Sequence, residues 1–313
     1  MLTTRRQNPI FVLAPVRSCS TIITAMLGQH PSLYGFPELN PFRWGTIGEL
    51  LDYSDGTGSG AVGSIGSYLA HGTVRAVAEV LLGGQDEATI DRATSWLEAR
   101  RAWAPWDLLH LLLARVEPRI GVEKSPGNLF TQTACSRMLE MFPNARFIHL
   151  VRHPITSVRS LKHHLCAWGW IDPDRHDPLG EAALMWYVFH RRLSMLGDQI
   201  DASRWCRVRA EDILSEPEAN LRPLCEWLGI DSSPFAISCM SHPENSPYAS
   251  VAPKHLTGGD HHFLTSPRPR FEAQDSHPTW PADWALADKL RNAVDELGQS
   301  FGYNSIFETT PAH

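Results

Sequence analysis

Ile10-Phe11-Val12-Leu13-Ala14-Pro15-Val16-Arg17-Ser18-Cys19-Ser20-Thr21 sets five consecutive apolar residues before a proline turn, one arginine and a run of hydroxyl side chains. An unbroken apolar run of this length is the pattern of a parallel strand buried on both faces. Beyond the turn, Ser20 to Gly28 carries Ile22, Ile23, Ala25, Met26 and Leu27 as the apolar residues of a helix, with Ser18 or Ser20 as its cap. A buried strand, a tight loop and a helix N-terminus make an anion site, because free backbone N–H groups and the helix dipole converge there. Arg17 adds a fixed cation, and Ser18, Ser20 and Thr21 add hydroxyl donors. The loop is not a Walker A motif: it has neither the Gly-x-x-x-x-Gly-Lys lysine nor the Mg²⁺-binding hydroxyl that follows it. Taken alone, the same residues also describe a plain capped helix after a core strand.

A second segment supports the anion reading. Arg146-Phe147-Ile148-His149-Leu150-Val151 is another strand pattern, broken at His153-Pro154 and followed by a helix from about Ile155 to Leu165. Arg152 follows that strand at once, and Ser160 comes eight residues later, two turns into the helix. This spacing lets a strand-end guanidinium and a helix hydroxyl meet one phosphate. Shorter strand patterns cover Arg119 to Glu123 and Trp205 to Arg209. Helical patterns cover Ser67 to Leu82, Glu87 to Trp103, Trp106 to Arg115, Leu129 to Met141, Leu179 to Ile200 and Glu218 to Leu228. Strands alternating with helices predict a P-loop-like three-layer α/β fold with a central, mainly parallel sheet. Ligands of such sheets bind at the carboxyl ends of strands, where both motifs lie.

The 313 residues, 43% hydrophobic and 20% charged, describe an ordinary globular chain, and they are read as a single domain over residues 1–313. The net charge of −6 argues against a broad nucleic-acid surface but leaves room for a focused basic pocket. No apolar run reaches the length of a membrane span, and the polar, basic start shows no secretory core, so a cytoplasmic location is expected. Six scattered cysteines without a Cys-x-x-Cys pair exclude a disulfide framework or a zinc site and fit a reducing compartment. The Gly- and Ser-rich stretch 54–67 reads as a mobile segment, either a lid or a plain surface loop. The Pro-, His- and Ser-rich stretch 241–281 is too long for a simple connection and is expected to pack over something.

At this point the chain resembles the sulfotransferase superfamily that uses 3′-phosphoadenosine 5′-phosphosulfate (PAPS). Pro15-x-Arg17-Ser18-Cys19-Ser20-Thr21 looks like its 5′-phosphosulfate loop, and Arg152 with Ser160 looks like its 3′-phosphate motif. His30-Pro31 with Pro37-Glu38-Leu39 resembles the segment that carries the catalytic carboxylate in the tyrosylprotein-type branch. Glu123-Lys124-Ser125-Pro126 resembles the Lys-Ser/Thr-Pro motif of that branch, and Arg209-Ala210-Glu211-Asp212-Ile213 its Tyr-Glu-Asp-Leu block. Gly258-Gly259-Asp260 followed by Phe263 resembles the loop that covers the cofactor and substrate. The narrower pattern is similar to the sulfotransferase domains of olefin-forming polyketide synthases, and the chain is expected to be free-standing, without a thioesterase or carrier segment. Cys19 departs from the family's usual glycine, Ala210 from its tyrosine, and Arg17 from the lysine of the cytosolic branch.

The resemblance implies sulfonyl transfer from PAPS, leaving adenosine 3′,5′-bisphosphate, with no metal. Glu38 would be general base, and Lys124 and Arg17 would offset the charge of the transfer. Cofactor binding would fall to Arg17, Ser18, Cys19, Ser20, Thr21, Arg152, Ser160, Gly258, Gly259 and Asp260. The implied acceptor is a hydroxyl, or an amine or amide nitrogen, of a small-molecule, lipid or natural-product intermediate, with an acyl- or peptidyl-carrier protein as the candidate partner. Each residue also has a plainer role: Glu38 could cap the next helix, and Lys124 could be an ordinary loop lysine. Trp168, Trp170 and Trp186 are candidates for an acceptor-pocket wall, in competition with simple core packing. Of the many histidines, one of His255, His261 or His262 is expected to touch ligand; none has the spacing of a metal site. Two other functions remain open at this stage: an ATP-dependent P-loop phosphotransferase and a non-catalytic nucleotide-binding scaffold.

Overall fold

Successive residues of a strand face opposite sides of a sheet, and in the first strand both sides are buried. Phe11 and Leu13 enter one core cluster, while Ile10, Val12 and Ala14 enter another. The computed structural model describes residues 8–53, 68–167, 170–268, 278, 280–281 and 284–306. Its strands are β1 (Ile10–Leu13), β2 (Leu33–Gly35), β3 (Ile120–Glu123), β4 (Arg146–Val151) and β5 (Trp205–Arg209). They form one sheet in the order β2-β3-β1-β4-β5, and every neighbouring pair is parallel.

In chain order the first helices are α1 (Ser20–Gly28), α2 (Ile47–Asp52), α3 (His71–Ala76), α4 (Glu87–Glu98), α5 (Pro105–Val116) and α6 (Gln132–Met141). There follow α7 (Pro154–Ala167), α8 (Pro178–Gly197), α9 (Ala210–Ser215), α10 (Pro217–Leu228), α11 (Pro234–Met240), α12 (His261–Thr265) and α13 (Asp288–Ser300). Helices α2 to α6 cover the Phe11 face; α1, α9, α10 and α11 cover the Ile10 face. A third cluster joins α7, α8 and α13 beyond the end of β4. The expected three-layer α/β architecture is therefore what forms.

Several boundaries differ from the sequence expectation, for physical reasons. The three-residue β2 is too short to leave a periodic signal. The helix expected over Ser67 to Leu82 is three pieces: a 3₁₀ turn at Tyr68–Ala70, α3, and a π turn at Val77–Leu81. The expected Leu129 start of α6 moves to Gln132, because the Thr131 hydroxyl accepts the Ala134 N–H at 3.1 Å and caps the helix there. Helix α4 stops at Glu98 rather than Trp103, where Arg100 turns back over the rings of Trp96 and Trp103. Trp186 belongs to the core: it is fully buried, and its indole N–H donates to the Arg152 carbonyl at 3.2 Å. Trp168 and the 54–67 segment lie outside the described residues.

Candidate active site

Four parallel strands end on the same side of the sheet, and each hands over a charged residue within a few positions. Arg17 follows β1, Glu38 follows β2, Lys124 follows β3 and Arg152 follows β4. The topology thus gathers residues far apart in the sequence into one crevice, as open parallel sheets do.

The loop after β1 is turned by two residues in the left-handed region, Arg17 at φ 67° and Cys19 at φ 59°. Cys19 is the N-cap of α1 and makes no side-chain capping bond, so neither Ser18 nor Ser20 caps the helix. The first N–H groups of α1 have no intrahelical partner by construction and open onto this loop. Ser18 is fully buried, and its Oγ has no hydrogen-bond partner. The Arg17 Nε donates to Ser160 Oγ at 3.0 Å, and Arg152 donates to the Arg17 carbonyl at 3.0 Å. Ser160 and Arg152 therefore both meet the loop. Among the described residues no carboxylate forms an ion pair with Arg152. Glu211 holds the turn behind it, accepting the His153 N–H at 2.8 Å and the Tyr303 hydroxyl at 2.8 Å. Burial raises the Cys19 thiol above its ordinary value despite the nearby charges of Arg152 and Arg17, so the thiol is held protonated.

Lys124 joins the loop to the carboxylate. Its side chain is only 3% exposed, and Nζ donates to Thr21 Oγ1 at 2.8 Å and to Glu38 Oε1 at 2.5 Å. Among the described residues Glu38 Oε2 has no hydrogen-bond partner, and the Glu38 side chain is 22% exposed. This disposition does not fit the plainer roles of helix cap and loop lysine. A fully buried second carboxylate, Glu123, braces the pair. It accepts from Leu39 N at 3.4 Å, from the Ser125 hydroxyl and from Asn128 Nδ2 at 2.9 Å. Burial pushes Glu123 up to about 7, against the lowering effect of its hydrogen bonds and of Lys124.

The Gly258-Gly259-Asp260 segment closes over this arrangement. Asp260 N donates to Thr21 Oγ1 at 3.1 Å, and the Asp260 carboxylate pairs with Arg17 at 2.7 Å. Burial would raise the Asp260 carboxyl, but the charge and hydrogen bond of Arg17 outweigh it and hold the group below its ordinary range. Asp260 is thus the counter-ion of Arg17. Gly258 stands at φ 75°, and its carbonyl accepts the Glu38 N–H at 2.9 Å. A Cβ on Gly258 would lie 2.6 Å from Gly72 Cα, and one on Gly72 would lie 2.1 Å from the Glu38 carbonyl oxygen. Three backbones meet here with no room for side chains. Of the three candidate loop histidines, His262 is exposed, with its ring 5.7 Å from that of His164. Sequence reasoning missed Gly72 and the bracing role of Glu123; the glycine carried no motif, and Glu123 was quoted only as the residue before Lys124.

These residues could hold an anionic ligand: the loop after β1 takes two left-handed turns before the N-terminus of α1, the buried Ser18 hydroxyl lies in it, and the Arg17 and Arg152 guanidinium groups stand beside it. No cluster of three or more metal-ligating side chains exists among the described residues. No helix among them is long and apolar enough to cross a membrane.

A model of the sulfotransferase family matches residues 9–234. Among curated proteins, the omega-hydroxy-beta-dihydromenaquinone-9 sulfotransferases Stf3 of Mycobacterium bovis and Mycobacterium tuberculosis are each 33% identical over 97 residues, 30% of this chain. That match spans 25% of the length of those relatives. Among solved structures, the sulfotransferase domain of the Synechococcus PCC 7002 olefin synthase is 25% identical, with a TM-score of 0.72 over 96% of this chain and 98% of that one. The sulfotransferase domain of the curacin biosynthetic pathway shares the fold, at 20% identity and a TM-score of 0.73 over 96% and 99%.

Proposed function

The chain belongs to the sulfotransferase family, and from that premise we propose that it moves the sulfonyl group of PAPS to a hydroxyl of a small-molecule or carrier-tethered natural-product intermediate. The observation that carries this reading is the Lys124 ammonium, held at once by Thr21 of the anion loop and by Glu38. The family match favours sulfonyl transfer over ATP-dependent phosphotransfer and over a non-catalytic scaffold. The likeness to the olefin synthase domain, over nearly all of both chains, supports a natural-product acceptor rather than a polysaccharide. Amines and amide nitrogens remain compatible nucleophiles for the same carboxylate.

PAPS, when bound, supplies the sulfonyl group and a stable phosphate leaving group. Arg17, Ser18 and the N–H groups opening α1 hold its 5′ end; Arg152 and Ser160 hold its 3′-phosphate. Glu38 takes the acceptor's proton on Oε2, while Oε1 stays on Lys124. A positioned base of this kind contributes ~10²–10⁴-fold. Lys124 offsets the charge that develops between loop and acceptor, without a metal. Beside Lys124, Phe36, Pro37, Tyr248 and Phe263 line a cavity together with Thr21, Thr24 and Ser246; at about 20 Å³ it is too small for an acceptor as it stands. Six unpaired cysteines support a reducing, cytoplasmic setting for the reaction. We read residues 1–313 as one domain, with the described part of the 241–281 stretch, residues 241–268, as its cover.

The test is transfer of ³⁵S from labelled PAPS to free and carrier-bound hydroxy acceptors. Wild type is expected to label an acceptor, and Glu38→Gln to bind PAPS but transfer at least ~10²-fold more slowly. Equal transfer by Glu38→Gln would remove Glu38 as the base; labelled phosphate from ATP in place of sulfonyl transfer would overturn the function.

A further inference from the structure

Thr257, the residue just before Gly258, is gripped on three sides by one helix. His71 and Arg75 stand four residues apart on α3, so their side chains lie on one face. The His71 Nδ1 accepts both the Thr257 N–H and the Thr257 hydroxyl at 3.3 Å. The N–H contact needs an unprotonated Nδ1, so the ring is neutral with its proton on Nε2, and the hydroxyl then donates to the same nitrogen. Burial and the neighbouring Arg75 push His71 down to about 4, which keeps that state throughout the physiological range. Arg75 donates through Nη1 to the Thr257 carbonyl, and its Nε donates to Gln85 Oε1 at 2.7 Å. Gln85 in turn donates to the Pro247 carbonyl at 2.7 Å and to Glu79 at 2.9 Å.

Arg75 is 1% exposed, and no carboxylate forms an ion pair with it among the described residues. Its guanidinium lies over the Tyr248 ring at 5.5 Å. A buried guanidinium is costly unless its donors are used, and here Nη1 serves the Thr257 carbonyl and Nε the Gln85 side chain. Next to Thr257, Gly258 lies on Gly72, its carbonyl meets Glu38 N, and Asp260 reaches Arg17 and Thr21.

We propose that His71 and Arg75 are positioning residues: by holding Thr257, α3 sets the 258–260 loop over the donor and couples its placement to that of Glu38. The loop's part in donor binding rests on the reading of the preceding subsection; its anchoring by α3 does not.

The experiment uses the full chain and the variants His71→Leu, which deletes the acceptor, and His71→Asn, which restores an acceptor at a similar reach. Arg75→Lys is the matching conservative change at the second grip. Amide exchange of residues 256–264 without nucleotide reads the anchoring, and calorimetric titration with adenosine 3′,5′-bisphosphate reads donor binding. Losing one such hydrogen bond should speed loop exchange and weaken the nucleotide each by about 10-fold in His71→Leu, with His71→Asn within about 3-fold of wild type. Exchange elsewhere, in β1 and β4, should stay unchanged, which a general loss of stability would not allow. Unchanged loop exchange in His71→Leu, or a His71→Asn variant as loose as His71→Leu, overturns the proposal. Faster exchange in a protein whose wild type binds no adenosine 3′,5′-bisphosphate would overturn the donor assignment and the coupling to it, and leave α3 only as an anchor.

Discussion

Replacing Lys124 with methionine should separate the catalytic from the structural work of the ammonium. Methionine keeps the length and apolar body of the lysine stem, so packing around the buried chain is largely retained. What disappears is the 2.5 Å contact to Glu38 and the 2.8 Å bond to Thr21. Breaking a fully buried pair costs ~3–5 kcal/mol, but Glu38 keeps water within reach at 22% exposure, so about 2 kcal/mol is expected here. With an unfolding entropy of ~2 cal/mol/K per residue, that lowers the melting temperature of a chain this size by about 3 °C. The catalytic loss should be larger. A preorganised donor at developing charge is worth ~3 kcal/mol, or about 10²-fold in kcat. Saturating PAPS and acceptor isolate kcat, and the affinity for adenosine 3′,5′-bisphosphate should fall much less. The double variant with Glu38→Gln should lose little beyond the worse single variant, because the two groups act as a unit. A Lys124→Met enzyme with kcat within about 3-fold of wild type would refute this reasoning.

Gly72→Ala should disable the site without touching a charge: its Cβ would sit 2.1 Å from the Glu38 carbonyl oxygen, and shifting Glu38 by ~1 Å can cost about 10²-fold in kcat. Parallel melting curves should show a stability loss of about 1–3 kcal/mol. Cys19→Gly should keep activity and leave stability equal or up to about 1 kcal/mol higher, since relief of a left-handed side chain is offset by added freedom of the unfolded chain. A Glu123→Gln variant should change the pH dependence of unfolding. Glu123 rises from 4.5 to about 7 on folding, so the folded state holds its proton more tightly. Its contribution is complete below pH 4.5 and is lost as pH rises through about 7, an effect of up to about 3 kcal/mol. Denaturant titrations between pH 5 and 8 should show that fall in wild type and its loss in Glu123→Gln.

The sheet was legible where strands were long and apolar, as in β1 and β4, and hidden where β2 spends only Leu33, Tyr34 and Gly35. Arg17 and Arg152 could be read because each follows a strand closely, whereas Glu38 and Lys124 were legible only through the Pro37-Glu38-Leu39 and Glu123-Lys124-Ser125-Pro126 resemblances; a parallel sheet brings all four into a shared crevice. The grip of α3 on Thr257 could not, since it joins residues 186 positions apart and bears no motif. Nor could the pairing of Asp260 with Arg17, which joins residues 243 positions apart. Helix α13 is a different case. Leu290, Val294 and Leu297 stand at helical spacing and pack against α8 and α7, so a signal was present there. Cys19 looked like a misfit for a glycine position, and its φ of 59° shows that the loop keeps the glycine conformation regardless.

The most direct measurement is a thermal-shift comparison of adenosine 3′,5′-bisphosphate, AMP and ATP with Mg²⁺, on wild type and Arg152→Ala. A nucleotide present at ~100 times its Kd adds about 2.7 kcal/mol, or about 4 °C for a chain of this size. That shift is expected for adenosine 3′,5′-bisphosphate without metal, should be smaller for AMP, and should collapse to the AMP value in Arg152→Ala. Stabilisation by ATP only when Mg²⁺ is present, or an Arg152→Ala protein that still prefers the 3′-phosphorylated nucleotide, would contradict the account.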